Sequence, residues 1–101
     1  MRWEFESKKL EALYTEQKGA RKYEPAVVDA FFDVISIIDA IPDTQDLYAQ
    51  KSLRYEKLKG NRSKAQERSL RLNDQWRLIV TEEADEDGQY LLIHKIEDYH
   101  K

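Results

Sequence analysis

Leu70, Leu72, Trp76, Leu78 and Val80 all stand at even positions, and Arg71 and Arg77 stand between them. Side chains alternate across a strand, so these five apolar residues share one sheet face only in one hairpin register. That register sets Leu72 opposite Trp76 and leaves Asn73-Asp74-Gln75 as a three-residue loop. A two-residue loop would oppose Leu70 to Arg77 and mix apolar with charged side chains on both faces. The chosen register places Arg71 directly opposite Arg77. Like charges across a strand pair repel unless an anion lies between them, solvent separates them, or each finds a carboxylate such as Glu97 or Asp98.

The rest of the chain organises around that hairpin. Trp3 and Phe5 alternate with charged neighbours as a short opening strand. Ser7 is placed to cap a helix beginning at Lys8, with Leu10, Leu13, Tyr14 and Gln17 on one face and Gly19 as its stop. Pro25 suits the first turn of a second helix reaching Ile41, whose apolar positions include Val27, Phe31, Val34 and Ile38. Asp29, Asp33 and Asp39 read as a solvated stripe on it, since a carboxylate metal site needs convergence from several elements. Thr44 to Gln50 gives one more helical turn with Leu47 and Tyr48 inward. Leu53 and Tyr55 then read as a strand, Lys57 to Glu67 as a polar loop, Arg68–Leu72 and Trp76–Glu82 as the hairpin, and Tyr90–Ile96 as a last strand after the turn Asp85-Glu86-Asp87-Gly88. The expectation is one α+β domain over residues 1–101: a short strand and two helices packed on a twisted, mainly antiparallel sheet of four to five strands.

Composition narrows the chemistry. Without cysteine there is no disulfide and no thiolate metal site. Two isolated histidines make no metal cage, the three glycines are too scattered to cradle a phosphate, and no G-x-S-x-G is present. The expectation is therefore no metal and no cofactor. Val27–Ile41 is too short and too acidic to cross a bilayer, and the acidic start does not resemble a leader, which together point to the cytoplasm. The net charge of −3 conceals a division: nine cations against three acids between Lys51 and Val80 leave +6 there, and −9 elsewhere. Such a basic third is either a solvated surface or a face for an anion such as a phosphodiester backbone. His94 alternates with Leu92 and Tyr90 and reads as a packed or edge histidine.

Three segments in order, Lys51-Ser-Leu-Arg-Tyr-Glu-Lys-Leu-Lys-Gly60, Ser69-Leu-Arg-Leu-Asn-Asp-Gln-Trp-Arg77 and Glu97-Asp-Tyr-His100, resemble the HigB-type branch of the RelE/ParE toxin superfamily. The resemblance covers nearly the whole chain. It implies the RelE-like fold and a toxin, monomeric when alone, that enters the ribosomal A site and cuts translated messenger RNA without a metal. In that reaction the RNA 2′-hydroxyl attacks the adjacent phosphate, which calls for a base, cations and an acid. By the same resemblance Glu56 occupies the place of a glutamate base in YoeB-type toxins, where many HigB proteins carry histidine. Arg71 and Arg77 would hold the phosphate, and His100 would be the acid. Lys57, Lys59, Arg62, Arg68 and Tyr99 would contact RNA. The segment from Asn61 to Arg68 is longer than the usual family loop, and the acidic total is unusual for an RNA-binding toxin. The implied partners are the ribosome, its message and a helix-turn-helix (HigA-like) antitoxin. Two other functions fit the superfamily: a ParE-like gyrase poison without nuclease activity, and an attenuated toxin that serves as an antitoxin-binding, autoregulatory module.

Overall fold

The computed structural model describes residues 1–99; His100, the expected acid, lies outside them. Five strands form one sheet in the order β1-β5-β4-β3-β2. They are β1 (Trp3–Phe5), β2 (Glu56–Lys57), β3 (Arg68–Arg71), β4 (Trp76–Asp85) and β5 (Gly88–Asp98). All neighbours are antiparallel except β1 and β5, which run parallel. The helices are α1 (Lys8–Glu16), α2 (Pro25–Ala40) and α3 (Thr44–Ala49). The expected α+β architecture with helices gathered on one face is the one observed. No helix among the described residues is long and apolar enough to cross a membrane.

Local chemistry explains the helix ends. The Ser7 hydroxyl accepts from the Lys9 and Leu10 amides and starts α1, while Pro25 opens α2, where a missing N–H costs nothing. The stop of α1 differs from expectation. Gln17, not Gly19, takes the left-handed capping conformation, at φ 53°, and is exposed rather than part of the apolar face. Its amide reaches back to Leu13, so the helix is already closed; Gly19 uses its own positive φ of 84° to begin the following short 3₁₀ turn.

The core lies between α1, α2 and one sheet face. Val27, Phe31, Ile35 and Ile38 of α2 meet Leu70, Leu78, Val80, Leu91 and Ile93, all fully buried. Trp3, Phe5, Tyr14, Phe31 and Phe32 extend that core as an aromatic cluster, with Tyr14 stacked on Phe32 at 5.5 Å. The even-numbered residues of the hairpin face the core, and Leu72 donates its amide to Trp76 across the predicted three-residue loop. Trp76 itself is half-buried, edge-on to Tyr23.

Two expectations in the middle of the chain are corrected. Leu53 sits in a 3₁₀ turn, not a strand, and the extended pairing is only Glu56–Lys57. Arg54 takes φ 45° between them and breaks the alternation that Leu53 and Tyr55 suggested. Tyr48 does not pack inward with Leu47; it is 45% exposed and lies edge-on to Tyr55 at 4.8 Å.

A β-bulge decides the far side of the sheet. On β5, Leu91 and Ile93 face the core, but so does Ile96, because the register slips between Ile79 and Val80 of β4 and leaves His94 unpaired. Without that extra residue Glu97 would follow Ile93 into the core. With it, Glu97 stands opposite Arg77 on the helix-free face.

Candidate nucleic-acid interface

Two rows of side chains cross the helix-free face, fixed by strand register. One runs Glu56, Ser69, Ile79, Lys95; the next runs Arg71, Arg77, Glu97. Strand spacing of about 4.8 Å and a rise of about 6.7 Å per two residues set Glu56 diagonally across from Arg71, with Arg77 one strand further. Ser69 and Ile79 are fully buried although no helix covers them. The segment after β2 provides the cover. It closes through the Leu58 amide on the Glu67 carbonyl, and Arg62 straps it across the sheet to Glu97.

That strap accounts for Arg62. Its guanidinium holds Glu97 by two bonds, of 2.5 and 3.0 Å, and Glu67 by a third of 2.6 Å. Paired bonds of this kind fix geometry as well as charge. The Glu97 carboxyl is held below its ordinary value, chiefly by Arg62 and further by Lys95 at 3.2 Å.

Arg77 is 8% exposed. Its Nη1 donates to the Asn73 carbonyl at 2.6 Å and to that of Trp76 at 3.3 Å, and the Tyr99 ring covers its guanidinium at 4.8 Å. Tyr99 is brought there by the hairpin loop, whose Gln75 carbonyl accepts the Tyr99 amide and whose side chain donates to Asp98 at 3.2 Å. Burial among carbonyls and a π face keeps this cation paired but not neutralised. Arg71 is more open and bridges to Asp74 at the loop tip. So the two facing arginines are neither splayed apart onto Glu97 and Asp98 nor bare. One turns to backbone carbonyls, the other to Asp74.

Glu56, Lys57, Leu58, Lys59, Arg62 and Tyr99 line an open cavity of about 440 Å³ above the rows. The structure thus brings together Glu56, Lys59, Arg62, Arg71, Arg77 and Tyr99 on one face, with Lys57 at the cavity's edge, where it pairs with Arg68 and shares its parity. It does not bring Arg68 with them. Arg68 shares parity with Leu70, on the helix-bearing face, where its Nε lies 3.2 Å from Glu82, which also accepts the Tyr55 hydroxyl at 2.6 Å. The parity that puts Arg71 and Arg77 on one face excludes Arg68 from it. Desolvation, and then the bond to Glu82, push the Tyr55 hydroxyl far up.

Two residues escape a reading by motif. Asp74, within the loop, is held below its ordinary value first by Arg71, then by the charges of Arg54 and Arg77. Arg54, in its left-handed turn before β2, carries charge near that loop, and no strand pattern marks it. His94 resembles a charge relay, with Nδ1 2.9 Å from Glu6 and Nε2 2.8 Å from the Thr81 hydroxyl. Thr81 gives its proton to Glu83 and is buried, so this is a structural tie between β1, β4 and β5. Asp29, Asp33 and Asp39 stay exposed on α2, where Asp39 accepts the Trp3 indole, and no group of three metal-ligating side chains converges among the described residues.

The class follows from these features together with the fold. The architecture is shared with a YoeB/ParE toxin from Agrobacterium tumefaciens, at a TM-score of 0.56 and 15% identity, with 99% of this chain and 100% of that one aligned. It is shared also with the YoeB-YefM complex from Staphylococcus aureus, at a TM-score of 0.55 and 22% identity, with 100% and 98% aligned. In sequence, the chain is 35% identical over 79 residues to Toxin HigB-1 of Vibrio cholerae serotype O1 (strain ATCC 39315 / El Tor Inaba N16961), covering 78% of this chain and 81% of that protein. Residues 3–100 match the family described as RelE-like toxin of type II toxin-antitoxin system HigB. The chain belongs to that HigB-like toxin family, and a toxin of such a system has a cognate antitoxin as its partner.

Proposed function

We propose that residues 1–101 act as one toxin domain, a ribosome-dependent endoribonuclease that cuts translated messenger RNA in the A site. The observation that carries this reading is the facing of Arg71 and Arg77 on a helix-free surface, in the row next to Glu56, whose own cavity is rimmed by Lys57 and Lys59. The RNA 2′-hydroxyl loses its proton to Glu56 as its oxygen attacks the phosphorus. Arg71, the more accessible guanidinium, and Arg77 beneath Tyr99 stabilise the charge that develops on the phosphoryl oxygens. His100 donates a proton to the departing 5′-oxygen, leaving a 2′,3′-cyclic phosphate. This scheme needs no metal or cofactor. Tyr99 serves as the cover of Arg77 rather than a free stacking platform, and Arg62 holds the loop rather than RNA. The antitoxin is a helix-turn-helix protein, and the toxin works in the cytoplasm.

Primer extension on a translated message tests the reading, with new 5′ ends expected inside codons for the wild type and strongly reduced ends for Glu56→Gln and His100→Gln. Trapped DNA breaks with intact messages would instead identify a gyrase poison. One observation favours the attenuated module as a second reading: Arg62 and Arg71 are already engaged by carboxylates of the same chain. Intact message and intact DNA, with antitoxin binding preserved, would establish it.

A further inference from the structure

The loop tip of the β3–β4 hairpin carries an anion into a row of cations. Register places Arg71 opposite Arg77. Two guanidinium groups facing each other across neighbouring strands repel unless an anion sits between them. Asp74 supplies that anion by bonding Arg71. Its position is set by the loop, because the Asn73 side chain accepts the Gln75 and Trp76 amides and locks the turn. The side chain is otherwise bare, at 98% exposure, so nothing but the cations holds it. An exposed pair of this kind is weak and exchanges readily with a competing anion.

We propose that Asp74 is a built-in phosphate mimic: it occupies the site of the facing Arg71–Arg77 pair, and an RNA phosphodiester must displace it to bind. Asp74 is thereby a gating residue that lowers the affinity of the free toxin for RNA. The depressed titration of Asp74, chiefly through its bond to Arg71, agrees with that placement. The inference rests on the RNA-cleaving reading for its ligand but not for its test.

Binding of a fully 2′-O-methylated single-stranded RNA, which cannot be cleaved, is measured by fluorescence anisotropy over a range of salt, without ribosomes. Asp74→Asn tightens binding by up to about fivefold, the equivalent of one exposed ion pair, and Asp74→Glu restores wild-type affinity. Arg71→Gln weakens binding and lowers the slope of log affinity against log salt by about 0.7, the share of one phosphate contact on a single strand. Asp74→Asn that binds no tighter while its circular dichroism and Tm stay those of the wild type overturns the gate. An unchanged salt slope in Arg71→Gln removes that arginine from the phosphate site, and no measurable RNA binding by any form overturns the whole proposal. Tight binding without cleavage on ribosomes refutes the nuclease alone, whereas cleavage that Asp74→Asn leaves unchanged, with unchanged affinity, refutes the gate alone.

Discussion

The two faces of one sheet divide the work of this chain. On the helix-bearing face, Leu70, Leu78 and Val80 pack against α2 with no exposure. One residue along the same strands, Arg71 and Arg77 stand on the other face with Glu97. The first face is held by loss of apolar surface from water, which is insensitive to which apolar neighbour supplies it. The second is held by directional bonds between charges, each of which has a named partner: Arg62 with Glu97, Arg71 with Asp74, Arg77 with the carbonyls of its own turn. Stability is therefore concentrated on one face. The other can lose or exchange partners, which is what binding a phosphate backbone requires.

The contrast breaks most visibly in the core. Phe31→Ala removes a fully buried ring between the helices and the sheet, and is expected to cost about 3–5 kcal/mol, enough to unfold much of a small domain. Urea denaturation reads this directly, and a loss below about 1.5 kcal/mol would show that the helical layer is not the main support.

Arg77→Ala tests the residue that belongs to both faces' accounts. Its loss frees Tyr99 and orphans the Asn73 carbonyl, for about 1.5–3 kcal/mol of stability, while cleavage falls about 10²–10³-fold if it stabilises the transition state. Normal message cleavage in a folded Arg77→Ala protein would leave it as scaffold only.

Acid separates the faces without a mutation. Arg62 holds the Glu97 carboxyl below its ordinary value of 4.5 in the folded chain. The folded state then binds fewer protons than the unfolded one, so this stabilisation is complete above that value and disappears as pH falls through the depressed one. Urea midpoints should fall with pH below about 4.5, and Glu97→Gln, less stable at neutral pH, should show a shallower fall. An unaltered acid slope in Glu97→Gln would remove the strap from the stability of this face.

Ser7→Ala is the smallest effect and the cleanest control. It deletes the α1 cap far from the charged rows, so stability drops by about 1 kcal/mol while RNA binding and cleavage stay those of the wild type. A change in cleavage would couple the faces in a way the structure does not show.

How much of this was legible beforehand follows from the range of the interactions. The hairpin register, the three-residue loop and the facing of Arg71 and Arg77 came from parity alone, because alternation is a property of the strand itself. The Ser7 and Pro25 helix starts came from backbone chemistry within a turn. Arg68 was misplaced only because its basic type was weighed above its even position. Tyr48, Leu53 and the end of α1 were misread where short 3₁₀ and left-handed segments break the periodicity that pattern reading depends on. Arg62 could not have been assigned: its partner Glu97 is 35 residues away and reaches that face only through the bulge at His94.

By itself, then, the sequence determined which residues share a face, since local alternation and capping act over a few bonds. The tertiary structure decided which charge each arginine meets. That choice depends on loop closure, on the bulge that turns Glu97 outward, and on the packing of Tyr99 over Arg77, and electrostatic partners are selected by distance in space rather than by separation along the chain.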